Sequence, residues 1–167
     1  IAMTGTFAQK PVKINAVIDA QNVLALSGNL LGGPMAGTFA LRGTKLDAVI
    51  RPNYGAAKLT VALKGTPTDL RGVISKGEVG PFPLRGVAYW KDGELAADVS
   101  GLRVNLNKQF KGTWKADQFA GAGISLTGAG GLDLTGGDVT GVLTATVPGL
   151  SKPVSGALDL NYLQQKG

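Results

Sequence analysis

The chain has 167 residues, a formal net charge of +6, and neither histidine nor cysteine. That composition removes the commonest general base and metal ligand, the thiol nucleophile and any disulfide, and no catalytic site, metal or cofactor is expected. Hydrophobic residues reach 44% but aromatics only 6%, beside 26 glycines, so aliphatic surface is buried in thin layers rather than around large rings.

In chain order, Ile1-Ala2-Met3 reads as a tag remnant. Residues 4–163 read as a single elongated β domain, an internal fragment of a longer repetitive chain, and 164–167 as a flexible tail. No stretch approaches the roughly 18 consecutive apolar residues of a membrane helix. Apolar and polar residues alternate with the period of a strand: Val12, Ile14, Ala16 and Ile18 against Lys13, Asn15 and Asp19, then Leu59, Val61 and Leu63 against Lys58, Thr60 and Lys64. Only Ala16–Leu26, free of Gly and Pro, leaves room for a short helical turn. Leu95, Ala97 and Val99, then Leu102, Val104 and Leu106, continue the alternation, and Val154, Leu158 and Leu160 close it.

Turn signals recur between these runs: Gly32-Gly33-Pro34, Pro52-Asn53-Tyr54-Gly55, Gly65-Thr66-Pro67, Gly130-Gly131 and Gly136-Gly137. Asp92-Gly93 is the best hairpin turn, because both residues tolerate positive φ. Pro81 and Pro83 around Phe82 suit an edge strand, where a missing N–H is harmless. Over this lies a second regularity, an apolar residue, a polar one, then Gly: Leu26-Ser27-Gly28, Leu63-Lys64-Gly65, Leu70-Arg71-Gly72, Val99-Ser100-Gly101, Leu126-Thr127-Gly128. Its irregular spacing excludes a tight solenoid and points to a degenerate strand unit, with Gly admitting bends and close backbone approach.

Candidate chemistry is thin. Asp92 with Glu94, and Asp133 with Asp138, sit at turns without the ordered oxygen spacing of a hard-cation site. The glycines from Gly128 to Gly137 lack the Lys-Ser/Thr of a phosphate loop and read as a tight hairpin. Trp90, Trp114, Tyr89, Phe110 and Phe119, interleaved with Arg85, Lys91, Lys108, Lys111 and Lys115, would suit stacked bases. The shared parity of Phe110 and Trp114 favours an inner-face role instead, and the basic charge is scattered, so nucleic acid is not an expected partner.

The segments 63–72 (Leu-Lys-Gly-Thr-Pro-Thr-Asp-Leu-Arg-Gly), Gly131-Leu132-Asp133-Leu134-Thr135-Gly136 and Gly156-Ala157-Leu158-Asp159-Leu160 resemble the TamB and AsmA-like envelope proteins in texture. The resemblance implies an all-β, elongated, curved antiparallel sheet folded into a taco-like groove, apolar inside and polar outside. It also implies a periplasmic bridge, anchored in the inner membrane through the full-length chain. Such a bridge engages an outer-membrane assembly partner and serves phospholipid transport and outer-membrane biogenesis. The last residues, Tyr162 to Gly167, do not resemble a barrel-docking terminus.

Alternation alone favours the closed core of a β-sandwich or β-solenoid, such as a structural repeat of a surface adhesin with a dry interior, over an open groove. Small residues on the inner phase, Ala97, Ala122, Gly128, Gly141 and Ala145, leave volume for a ligand and favour the groove. The lining expected for lipid acyl chains is Leu59, Val61, Leu63, Leu84, Leu95, Val99, Leu102, Val104, Leu106, Ile124, Leu126, Leu132, Leu134, Val139, Leu143, Leu158 and Leu160.

Overall fold

A computed structural model describes residues 1–7, 10–53, 55 and 57–161. Among these the chain is all-β: fifteen strands form one antiparallel sheet whose order follows the chain, with β8 beside β7 and off that path. Alternation is the cause, since each strand carries one face that is worth burying and one that is not.

The chain divides into two compact units, Ile1–Val87 and Ala88–Gly167. In the first, β1 (Ala2–Phe7), β2 (Lys10–Ile18), β3 (Val23–Leu30), β4 (Gly33–Ala40), β5 (Lys45–Ile50), β6 (Ala57–Thr66) and β7 (Asp69–Val79) form a meander, and β8 (Phe82–Pro83) pairs with β7. Residues 2 and 3 therefore lie within a strand. The second unit begins within β9 (Gly86–Lys91) and continues through β10 (Glu94–Val99), β11 (Leu102–Leu106), β12 (Lys111–Gly121), β13 (Ile124–Asp133), β14 (Asp138–Thr146) and β15 (Val154–Asn161).

The turns follow backbone handedness. Asp92 and Gly93 have φ of 51° and 90°, as the hairpin expectation requires, and Ser100-Gly101 and Ala122-Gly123 repeat that pair of positive values. Val99-Ser100-Gly101 is thus a turn rather than a strand interior. Gly136-Gly137 lies in the β13–β14 turn, and Tyr54 of the Pro52–Gly55 turn lies outside the described residues, as does 164–167.

Other turn expectations are corrected. Leu31 and Gly32 make the β3–β4 turn, and Gly33-Pro34 already belongs to β4, where Pro34 pairs with Asn29. Pro67-Thr68 joins β6 to β7, with Gly65 and Thr66 still in β6. Gly130-Gly131 lies inside β13, because flanking residues on both sides are already paired to β12 and β14. Ala16–Leu26 holds no helix: it is the end of β2, a turn, and the start of β3. Asp19 fixes that turn by accepting the amides of Gln21 and Val23 at 2.9 Å each.

Few residues are buried. In the first unit the core is Met35, Ala48, Ile50 and Leu84, and in the second Leu106, Trp114 and Ala116.

Candidate functional site: the apolar sheet faces

Register settles which side chains share a face, since directly opposed residues point the same way. In the second unit one row runs Leu95, Leu106, Gly112, Leu132, Val139, Leu160 across successive strands from β10 to β15. The next runs Ala97, Val104, Trp114, Gly130, Gly141, Leu158, and a third Val99, Leu102, Ala116, Gly128, Leu143, Gly156. Beyond the β12 bulge, Phe119 opposes Leu126, which opposes Ala145, and Ile124 opposes Gly121. Every residue in these rows is apolar or glycine.

The first unit is built alike. Ile14, Gly28, Met35, Ile50, Val61 and Ile74 form one row, and Ala16, Leu26, Gly37, Ala48, Leu63 and Gly72 the next. Leu59 opposes Gly77, and Leu84 packs over that same glycine: its amide donates to the Gly77 carbonyl at 2.7 Å. A Cβ on Gly77 would stand 3.2 Å from that of Leu84.

Sixteen of the seventeen expected lining residues fall on these apolar faces, Leu59, Val61, Leu63 and Leu84 in the first unit and twelve of thirteen in the second. Leu134 is the exception. It follows the end of β13 and is 40% exposed, with its amide bonded to the Phe110 carbonyl. Ala122, expected on the inner phase, sits in the β12–β13 turn at φ 49°. Sequence reasoning missed Met35, Ala48 and Ile50, the innermost of the first unit. Their signal was the alternation of β4 and β5, broken for the eye by the Gly and Pro around Met35.

The apolar-polar-Gly unit now has a structural meaning. Where the unit lies inside a strand, the apolar residue and the glycine share a face, and the glycine is set opposite a large residue on a neighbouring strand: Gly28 to Ile14 and Met35, Gly65 to Leu46 and Leu70, Gly72 to Leu63, and Gly128 to Leu143. Trp114 shows what this allows. Its indole lies across Gly128 and Gly141, and its Nε1 donates to the Thr140 carbonyl at 2.9 Å. The other aromatics do not join it. Trp90 and Phe110 stack at 5.9 Å, with Phe110 in a turn at φ 58° rather than on the inner face, and Tyr89 is 47% exposed.

The opposite face carries the charged side chains, laced by ion pairs between opposed strands, among apolar residues such as Val17, Val49, Val73 and Val142. Asp47 meets Lys64 at 3.2 Å, and Arg103 meets Asp117 at 2.7 Å and Asp98 at 3.7 Å. These groups are largely exposed, so each pair contributes about 0–1 kcal/mol. Lys111 and Asp133, directly opposed at the ends of β12 and β13, meet at 2.8 Å. The Lys111 ammonium, the Gly136 amide and the Thr135 hydroxyl hold the Asp133 carboxyl well below the usual carboxylate range. The same contact raises Lys111. Asp133 is thereby committed to an ion pair and a turn, and among the described residues no group of three acidic side chains is placed to hold a metal.

Comparison of the chain with protein-family models, with curated proteins and with solved structures gives no match.

Proposed function

We propose that the apolar sheet face shields lipid acyl chains, in a segment of a cell-envelope bridge between inner and outer membranes. One observation carries this reading: in each unit an aliphatic sheet face of which few side chains are buried. No large side chain among the described residues is fully buried.

The chemistry asked of such a face is undemanding. Across β10 to β15 the face extends about 24 Å at 4.8 Å per strand, against about 15 Å for the tails of one leaflet. An acyl tail leaving water gains on the order of 10 kcal/mol at about 0.8 kcal/mol per CH₂. A lining of Leu, Val and Gly supplies that without fixing a position, so a tail slides rather than docks. A trough bent along the glycine rows would enclose the tail and leave its headgroup in water. The role is non-catalytic, and it implies a phospholipid or other acyl-chain ligand. Inner-membrane anchoring and the outer-membrane assembly partner belong, in this proposal, to the full-length protein.

A dry adhesin segment needs a face closed by its own side chains, and the burial pattern speaks against that. Native mass spectrometry and organic extraction of protein purified from cells separate the two. Phospholipid at defined stoichiometry supports the proposal; a clean mass with no extractable lipid overturns it.

A further inference from the structure

On the charged face of the first unit, register gathers cations toward one end. Arg51 follows the buried Ile50 and so faces outward, level with Thr60, because Ile50 opposes Val61 and Asn53 bridges to Lys58. Thr60 opposes Lys76, and the bond from Leu84 to Gly77 sets Arg85 level with Lys76. Lys58 lies two residues from Thr60 on the same face, opposite Glu78. All four cations are exposed, and among the described residues Glu78 is the one acid on these two rows.

Lys76 reaches its row through an irregularity. Val61 opposes Ile74 but Thr60 opposes Lys76, so Ser75 is the extra residue of a β-bulge. In unbroken register Ser75 would oppose Thr60, and Lys76 would stand opposite Leu59 on the apolar face. The bulge puts the ammonium on the charged face and gives the place opposite Leu59 to Gly77. A concavity of about 380 Å³ lies there, lined by Lys58, Leu59, Thr60, Lys76, Gly77 and Glu78. Elsewhere Lys64, Arg103, Lys111 and Lys115 each meet a carboxylate, whereas among the described residues Arg51, Lys58 and Lys76 form no ion pair.

Directly opposed side chains start about 5 Å apart and diagonal ones about 7–8 Å, so these three long side chains can converge above the Thr60 hydroxyl. A guanidinium fork, two ammoniums and a hydroxyl supply donors for every oxygen of one phosphate. We infer that this patch binds a phosphate group, with Arg51 as the bidentate donor, Lys58 and Lys76 as point charges and Thr60 as the hydroxyl donor. A phospholipid headgroup and a free phosphate present the same oxygens. The inference is independent of the acyl-chain reading, because it concerns the opposite face of the sheet.

Titration of isotopically labelled protein with inorganic phosphate, against chloride at equal ionic strength, reads binding through the amide signals. Saturable shifts centred on Arg51, Thr60 and Lys76 are expected. Lys58→Gln with Lys76→Gln should weaken binding about tenfold or more while leaving circular dichroism unchanged. Lys64→Gln, whose charge is already met by Asp47, should leave binding unchanged. Thr60→Val, which removes the hydroxyl and no charge, should also weaken it and serves should the double variant misfold. Flotation with phosphatidylcholine vesicles, with and without phosphatidic acid, assigns the source. Recruitment by phosphatidic acid that the double variant loses marks a headgroup, and phosphate binding without recruitment marks a soluble phosphate. No saturable shift together with no recruitment, or binding that the folded variants retain at full strength, would overturn the inference.

Discussion

The indole of Trp114 occupies the space that a side chain on Gly141 would need. A Cβ on Gly141 would stand 2.9 Å from Cζ2, and the backbone there holds φ +148°. The ring is laid flat across β13 and β14 and anchored by its N–H on the Thr140 carbonyl. Trp114 is buried in the second unit with Leu106 and Ala116. Gly141→Ala should therefore cost about 3 kcal/mol, from backbone strain and overpacking together. Trp114→Ala should cost about 3–5 kcal/mol. Trp114→Phe should lie well below that, losing about 1 kcal/mol with the hydrogen bond and some contact besides. Urea denaturation followed by circular dichroism gives the three values.

Lys111 and Asp133 predict the shape of the stability profile with pH. The Asp133 pKa is depressed in the folded chain, so its contribution is complete above the ordinary value of 3.8 and fades as pH falls below it. The Lys111 pKa is raised, so its contribution is complete below 10.5 and fades as pH climbs above. Asp133→Asn should flatten the acid limb of the thermal midpoint against pH, and Lys111→Met the alkaline limb. Asp133→Asn should flatten the alkaline limb as well, because Asp133 is what raises Lys111, whereas Lys111→Met should leave the part of the acid limb that the Gly136 amide and the Thr135 hydroxyl carry.

Ala122 pays a backbone penalty in the β12–β13 turn, where it is exposed and holds φ 49° beside Gly123 at 79°. Asparagine tolerates that conformation far better than alanine. Ala122→Asn should stabilise by about 0.5–1 kcal/mol, read as a higher thermal midpoint with an unchanged spectrum.

The strands were legible because burial of one face imposes period two, and Leu102 to Leu106 or Val12 to Ala16 display it without interruption. Asp92-Gly93 was legible because two adjacent residues tolerant of positive φ have one natural use between strands. Gly130-Gly131 and Gly33-Pro34 were not, because a glycine in a turn and a glycine opposite a large cross-strand residue look identical until the register is known. Phe110 misled by parity: its number continues the inner phase of β12, but a positive φ ends the strand before it and turns the ring onto Trp90. Leu134 misled in the same way past the end of β13. The division at Val87 and Ala88 left no compositional mark, because it falls within a strand rather than a linker.

The central claim is that acyl chains lie on the apolar face and nowhere else. Photo-crosslinking amino acids placed one at a time at Val61, Val104 and Leu126, and at their outward neighbours Ala62, Asn105 and Thr127, test it in cells. Covalent phospholipid on the first three and none on the second three is the predicted result. Equal labelling of both sets, or lipid on neither, would contradict it.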